Sequence, residues 1–447
     1  MAGNASHRAP RRARRTLRAR PKTAEQIAEI IQDNKRFPSP VRPAGAGSGN
    51  PRCTAVQHGT RLDMSGMNRL LSIDRGEVRV QAGMRLRDLV RELAAHGLEL
   101  PGSIDQPDRS IGGLVCGGTL GCGGRDDAPF LSSAVCGLSV VTARGEIRHF
   151  DSRDTRALAL FRQSYGLLGT VFQVTLRVRK ARKHTSRSRK TSLAELANIV
   201  PNLTRTPAGV KLYLFPHRDR ALIELRETRD DDGQGGRFGW RIYDWLSNHF
   251  VPEFAHSVGR LIRVPQLRDP LIDGFSEATQ VLVQSRLRDA NTNVWEQTGK
   301  FRRVGPDARS RECAWLFPAS RFGGVLFAYR EFSRRYYKVN RFRCDLPAIG
   351  YRILQDRHAL LSPSFKEPLF ALNLRSTASH GWDDFLLDFG RFAARFSGIP
   401  VLNLSSRFSA DLMPAAYGQR LEKFRQTRRR ADPDNRFLNQ YFAEYIG

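Results

Sequence analysis

"VRPAGAGSGN", residues 41–50, runs from an apolar start into a loop where Gly45, Gly47 and Gly49 alternate with Ala46 and Ser48. Glycine lets backbone amides approach a ligand with no side chain in the way, so the loop suits a pyrophosphate. It suits a tight turn equally well, and only the surrounding sequence decides. One dinucleotide pattern is excluded. A strand–GxGxxG–helix unit needs a third glycine, a helix and an acid about twenty residues on. Here Asn50 stands where the third glycine belongs, and no helix clearly follows.

Upstream, "KTAEQIAEIIQDN" (22–34) reads as a helix. Thr23 is its cap, Gln26 completes a capping box, and Ile27, Ile30 and Ile31 form one apolar face. Downstream, "EVRVQAGMRLRDLVRELAAHGLELPG" (77–102) begins as a strand, with Val78, Val80 and Ala82 alternating. Leu86, Leu89, Val90 and Leu93 then mark a helix from Met84 to His96, and Gly97 is its left-handed cap. A second glycine-rich region, "SIGGLVCGGTLGCGGR" (110–125), follows about sixty residues after the first. Two such loops can bracket one dinucleotide. "AVCGLSVVTARGEIRHF" (134–150) reads as a hairpin turning at Ala143–Gly145, and "SYGLLGTVFQVTLRVRK" (164–180) as glycine turns leading into a strand.

Residues 181–190 read as a basic linker, after which the texture changes. "GVKLYLFPHRDRALIELRETR" (209–229) predicts two strands about a loop, and "DDDGQGG" (230–236) an exposed acidic turn. Residues 420–446 predict a helix stopped by Asp432–Pro433, then a terminal helix.

The chain of 447 residues carries a net charge of +29. Seven positive charges fall in residues 1–20 and eight between Arg177 and Lys190, neither block containing an acid. Such blocks attract anions, an acidic membrane surface among them, and equally describe a solvated tail and linker. They lack interleaved aromatics, which argues against specific nucleic-acid readout. The first twenty residues are also Arg-rich and acid-poor in the manner of a transit peptide. The six cysteines have no CxxC pairing and no zinc spacing, so buried thiols and no metal site are expected. No apolar run reaches transmembrane length and no secretory h-region is evident, which leaves a soluble chain, cytoplasmic or peripheral at a membrane.

The motifs "RPAGAGS", "RVQAGMRLRDLVRELAAHGLELP", "SIGGLVCGGTLGCGG", "GLLGTVFQVTLRV" and "DPDNRFLNQY", in this order, resemble the FAD-linked oxidases of the vanillyl-alcohol oxidase type. The likeness is greatest to the sugar branch, with its aldonolactone, alditol and decaprenylphosphoryl-ribose oxidases. It is strong over 22–180 and 432–442 and patchy between. It implies an α+β fold with a two-subdomain FAD-binding domain of the PCMH type over 21–185. A basic disordered tail (1–20) precedes it. A cap domain with an antiparallel sheet flanked by helices follows over 186–400, and a segment (401–447) returns to the FAD domain. It also implies that Pro43, Ala44, Gly45, Ala46, Gly47 and Ser48 lie against the FAD pyrophosphate from one side. Gly112, Gly113, Gly117 and Gly118 would lie on the other, with Gly169 and Val171 along the nucleotide.

Departures carry information too. Ser48 stands where many relatives have a flavin-linking His, and Gln106 where some have a linking Cys, so the resemblance implies non-covalent FAD. Leu120 replaces a His often found near the flavin. Leu404, beside Asn403, replaces a Lys expected there to stabilise reduced flavin or activate oxygen. "ECAWLFPASRF" (312–322) and "YRILQDRHALLSPSF" (351–365) resemble cap-domain segments that face substrate. Glu312, Arg352 and His358 are therefore the candidate substrate contacts, with Asn403 a further hydrogen-bonding group. A carboxylate can take a hydroxyl proton and a guanidinium can steady an alkoxide.

The function expected is oxidation of a CH–OH group in a sugar-like or polyhydroxylated small molecule by hydride transfer to FAD, with oxygen or another acceptor reoxidising the flavin. Two alternatives stand beside it. One is an oxidase of a lipid-phosphate-linked sugar. The other is a basic nucleic-acid- or membrane-binding protein on a relict flavin fold.

Overall fold

A computed structural model describes residues 16–102, 104–229, 246, 250–286, 311–378 and 380–447. The expected acidic turn at 230–236 and residues 1–15 of the basic tail lie outside them.

Short strands β1 (Leu17–Ala19), β2 (Val41–Ala44) and β3 (Thr60–Asp63) form a parallel sheet in the order β1-β3-β2. Leu17–Ala19, within the stretch expected to be a disordered tail, pairs as a strand with Thr60–Leu62. Helix α1 (Ala24–Gln32) buries Ile27, Ile30 and Ile31 against Val41 and Leu62, and Thr23 caps it by accepting from the Gln26 amide.

The second subdomain is an antiparallel sheet of β4 (Leu70–Asp74), β5 (Glu77–Gln81), β7 (Val135–Val141), β8 (Ile147–Phe150) and β9 (Thr170–Arg177), ordered β4-β5-β9-β7-β8. Helices α2 (Leu86–Ala95), α3 (Ile111–Cys116) and α4 (Thr155–Phe161) accompany it. Leu86, Leu89 and Leu93 share one core with Val78, Val80, Val174 and Leu176. The segment "SIGGLVC", read as loop, is largely helix: Ser110 Oγ accepts from the Gly113 amide (3.4 Å) and starts the α3 turn. A two-stranded ribbon, β6 (Leu98–Glu99) with β10 (Arg179–Lys180), leads out of this half.

The second half is one antiparallel sheet of seven strands: β11 (Lys183–Thr191), β12 (Gly209–Phe215), β13 (Arg220–Arg229), β14 (Arg311–Pro318), β15 (Ala348–Ile353), β16 (Leu369–Ser376) and β17 (Ile399–Pro400). Their order is β11-β13-β12-β15-β16-β14-β17. The expected basic linker is therefore an edge strand. Its cations find acids: Lys190 pairs with Glu277 (2.6 Å) and Arg187 lies 3.9 Å from Glu227. Helices α5 (Leu193–Arg205), α8 (Phe322–Asn340) and α9 (Trp382–Ala394) cover one face, where Phe322 stacks on Phe370 and Trp315 meets Phe389. Between β13 and β14 run α6 (Val251–Leu261) and α7 (Pro265–Arg286); Val283 of α7 packs on Tyr213, Phe215 and Leu222.

The last helices, α10 (Leu412–Tyr417), α11 (Gln419–Ala431) and α12 (Gln440–Tyr445), end against the first sheet. Asp432 accepts from the amides of Arg436 (2.6 Å) and Phe437 (2.9 Å). The turn so formed aims the Arg436 guanidinium at the carbonyls of Ile30, Ile31 and Phe37 (2.7–2.8 Å), the open end of α1. Buried Arg42 answers from β2, donating to the Phe437 carbonyl (2.9 Å) and the Tyr165 carbonyl (2.7 Å).

Candidate active site

The loop after β2 is fastened on both sides. Asn50 donates its amide nitrogen to the Asn403 carbonyl (2.9 Å) and its side chain to the carbonyls of Leu402 (3.0 Å) and Ser405 (3.2 Å). Opposite, Asn403 Oδ1 accepts from the Gly118 amide (3.0 Å) while its Nδ2 donates to the Gly118 carbonyl (2.8 Å). One asparagine thus joins both glycine segments through the returning chain. Some of the glycines serve this internal fit: a Cβ on Gly45 would fall 1.8 Å from Ser110 Oγ, and one on Gly117 2.8 Å from Asn403 Nδ2. Gly47 and Gly113 differ. At Gly47, φ is +74° and nothing lies within 3.8 Å of an added Cβ; at Gly113 only Ser110 Oγ is near. Pro43 and Ala44 close β2, Ala46 and Ser48 sit in the loop, Gly112 packs on Ala82, and Gly169 and Val171 flank the start of β9 beneath Val140 and Val141.

Across from this cradle lies the second face of the seven-stranded sheet. Residues paired across antiparallel strands point the same way. The pairs Ala314–Asn373, Tyr351–Ala371, Lys211–Tyr351 and Lys211–Glu224 place Glu312, Asn373, Tyr351, Lys211 and Glu224 together on this face. Arg352 pairs with Phe370, which pairs with Phe317, and so belongs to the helix-covered face.

This overturns the expectation for Arg352. Its guanidinium is buried and donates to the carbonyls of Leu203 (3.2 Å), Thr204 (3.4 Å), Ala208 (2.6 Å) and Thr206, closing the C-terminal end of α5. His358 is also placed apart. Its Nδ1 meets buried Asp356 (2.7 Å) and its carbonyl accepts from Arg162 (3.0 Å), while Asp356 accepts from Ser133 Oγ (3.0 Å). Burial pushes the Asp356 carboxyl up, yet the bonds from His358 and Ser362 prevail and hold it below its ordinary value. No hydrogen bond of His358 reaches Glu312 or Asn403.

Glu312 meets a residue the sequence reading passed over. Its Oε1 lies 3.5 Å from Nη2 of Arg109, which stands in the turn before α3, and its Oε2 accepts from Asn373 Nδ2 at 3.5 Å. Arg109 is buried, which pulls its pKa down against the opposing pull of Glu312. Arg109 Nη2, Asn373 Oδ1 and Gln106 Oε1 are all buried with no hydrogen-bond partner. Such atoms are costly unless something fills the space they face. A Cβ on Gly49 would sit 3.6 Å from Arg109 Nη1, so the cation also borders the glycine loop. These groups leave donors and acceptors free for a polar ligand between cradle and sheet.

Farther along the same face, Asp105 accepts from Tyr351 Oη (3.0 Å) and from Lys211, with Arg226 at 4.0 Å. Burial pushes the Asp105 carboxyl up, but the Lys211 and Arg226 cations outweigh it and keep it ionised. Beyond this pair, a cavity of about 330 Å³ opens between α2 and β13, floored by Leu86, Leu93 and Ile104, with Arg179 paired to Glu99 and Asp127 at its edge. Leu120 and Leu404, where relatives carry His and Lys, are both buried. All six cysteines are free; burial pushes the thiols of Cys116 and Cys122 up to about 12.

A glycine cradle held by a returning chain, faced by a polar sheet, defines an FAD-dependent oxidoreductase acting on CH–OH donors. Residues 16–151 match the FAD binding domain. Residues 174–445 match D-arabinono-1,4-lactone oxidase, and the chain belongs to that family. It is 25% identical to L-gulono-1,4-lactone dehydrogenase of Mycobacterium tuberculosis over 96% of this chain and 95% of that one. Mouse L-gulonolactone oxidase is 21% identical over 95% of this chain and 93% of its own. In fold the chain resembles cholesterol oxidase from Brevibacterium sterolicum, with a TM-score of 0.70 at 14% identity, covering 97% of this chain and 94% of that one. Among the described residues no helix is long and apolar enough to cross a membrane, and no His, Cys, Asp and Glu cluster could hold a metal.

Proposed function

We propose that the protein oxidises a CH–OH group of a sugar lactone, with FAD held non-covalently between the glycine cradle and the sheet. The observation that carries the reading is the Glu312 carboxylate, held loosely by Arg109 and Asn373, each of which has a buried polar atom without a hydrogen-bond partner. FAD, when bound, supplies the acceptor for the hydride. Glu312 takes the hydroxyl proton, since it is the carboxylate on the face turned to the cradle that holds only loose contacts. Arg109 Nη2 faces the oxygen as negative charge develops there, and Asn373 holds the hydroxyl in line. Arg109 also provides a fixed cation at the site, where Leu404 removes the lysine of other relatives. Lactones are favoured over lipid-linked sugars because the relatives that match nearly the whole chain are named for gulonolactones.

Two measurements test this. Anaerobic mixing with aldono-1,4-lactones is expected to bleach the flavin, and alditols to do so at least about tenfold more slowly; bleaching by alditols alone, or by neither class, overturns the substrate class. Ser48 and Gln106 at the usual linkage positions predict that acid precipitation leaves the yellow colour in the supernatant. Colour retained in the pellet overturns non-covalent binding.

A further inference from the structure

Helix α7 turns its acids inward, alongside buried Ile272 and Val283. Its acids Asp269, Asp273 and Glu277 recur every four residues and therefore share one side. That side is turned into the protein. Asp269 accepts from Tyr337 Oη (2.5 Å), Asp273 pairs with Arg343, and Glu277 pairs with Lys190 (2.6 Å) and Arg218 (2.8 Å). Ser276, Thr279 and Gln280 are buried there too.

The opposite side faces out and is apolar. Leu267, Leu271 and Leu282 are 63%, 50% and 58% exposed, a stripe about 22 Å long at 1.5 Å per residue. The stripe continues through Val264 in the preceding turn and Leu261, 82% exposed, at the end of α6. A helix stabilised only by water on this side would place these residues the other way round. The tip is cationic as well. Residues 254–268 contain no acid, and Arg260 and Arg263 are exposed beside the leucines.

We propose that this tip and stripe dock on an anionic lipid surface, with the leucines among the acyl chains at headgroup depth and Arg260 and Arg263 against the headgroups. Charge selects this occupant. A second copy of the chain would bring arginines against arginines, whereas an anionic bilayer matches both the tip and a chain carrying +29. No described helix can cross a bilayer, so the contact is interfacial.

The test is co-sedimentation of the full-length, flavin-loaded protein with vesicles of phosphatidylglycerol and phosphatidylcholine, or of phosphatidylcholine alone. The wild type is expected to partition onto the anionic vesicles. The L261Q/L267Q/L271Q variant is expected to bind at least about tenfold more weakly, and R260Q/R263Q several-fold more weakly, both with unchanged flavin content. The proposal is overturned if the wild type ignores anionic vesicles. It is also overturned if the leucine variant binds as well as wild type, because the basic tail alone then accounts for binding. Conversion of a lipid-free dimer to monomers by the leucine substitutions would overturn it too, assigning the face to a second copy.

Discussion

The two faces of the seven-stranded sheet handle buried charge in opposite ways. On the helix-covered face, the Arg352 guanidinium meets four carbonyls at the end of α5, all supplied by the chain itself. On the face toward the glycine cradle, Glu312 and Arg109 touch at 3.5 Å, and neither Arg109 Nη2 nor Asn373 Oδ1 has a hydrogen-bond partner. The same face, three strands away, is self-sufficient again at Lys211, Asp105 and Tyr351. Arg352 spends both terminal nitrogens on the chain's own carbonyls and so closes a helix. Glu312 is held only by contacts of 3.5 Å to Arg109 and Asn373, which is why the proposed function places the substrate there.

The comparison is broken most readily at Asp105. Lys211→Met removes a cation from a buried carboxylate and is expected to cost about 3–5 kcal/mol in urea unfolding. A loss under about 1 kcal/mol would mean that Arg226 alone suffices. Next comes Glu312→Gln, expected to slow anaerobic flavin reduction by roughly ten- to a thousandfold, or about 1.4–4 kcal/mol, with full FAD content. An unchanged rate would move the proton acceptor elsewhere. Arg352→Met is the mirror experiment. Stability is expected to fall by about 1.5–3 kcal/mol through the orphaned carbonyls, while the reduction rate stays within about twofold; a large rate loss in a folded protein would restore Arg352 to the site.

The smallest effect tests a neutral, half-buried group, His217, in the turn between β12 and β13. Burial, assisted by the Arg343 cation, lowers its pKa to about 3. Unfolding raises it to about 6.5, so the unfolded chain binds the extra proton between those values. Stability is therefore full above pH 6.5 and declines as pH falls toward 3, by at most about 1.4 kcal/mol per pH unit and less for a partly exposed ring. His217→Gln is expected to flatten the acid limb of a stability–pH profile measured by thermal unfolding; an unaltered limb would assign the decline to carboxylates.

The FAD half was legible because its signals are local. The Thr23 cap, the stripe Leu86–Leu89–Leu93 and the Val78–Val80 alternation each fit within a few residues, and the structure follows them, although Gln26 Oε1 accepts from the Lys22 amide instead of closing the capping box on Thr23. The cap sheet was legible as strands but not as faces. Tyr351 and Arg352 are adjacent, and only the pairing of β15 with β16 decides which of them looks at the cradle. Arg109 was missed because "DQPDRS" reads as a turn; its one visible sign was a position directly before the Ser110 cap. The basic run 181–190 was read as linker because its acids, Glu227 and Glu277, lie far along the chain.

The closure by Arg436, Arg42 and Asn403 also governs the order of events during synthesis. Elongation adds roughly 5–20 residues per second, and domains generally fold as units as they emerge. The glycine loop at 45–49 is made early, but Asn403, which joins it to Gly118, and the carbonyl of Phe437, which receives Arg42, are made hundreds of residues later. At that rate the first subdomain waits on the order of tens of seconds for its last contacts. During that interval the two glycine segments are not yet joined through Asn403. The joining of the two glycine segments is consequently an event of the nearly finished polypeptide.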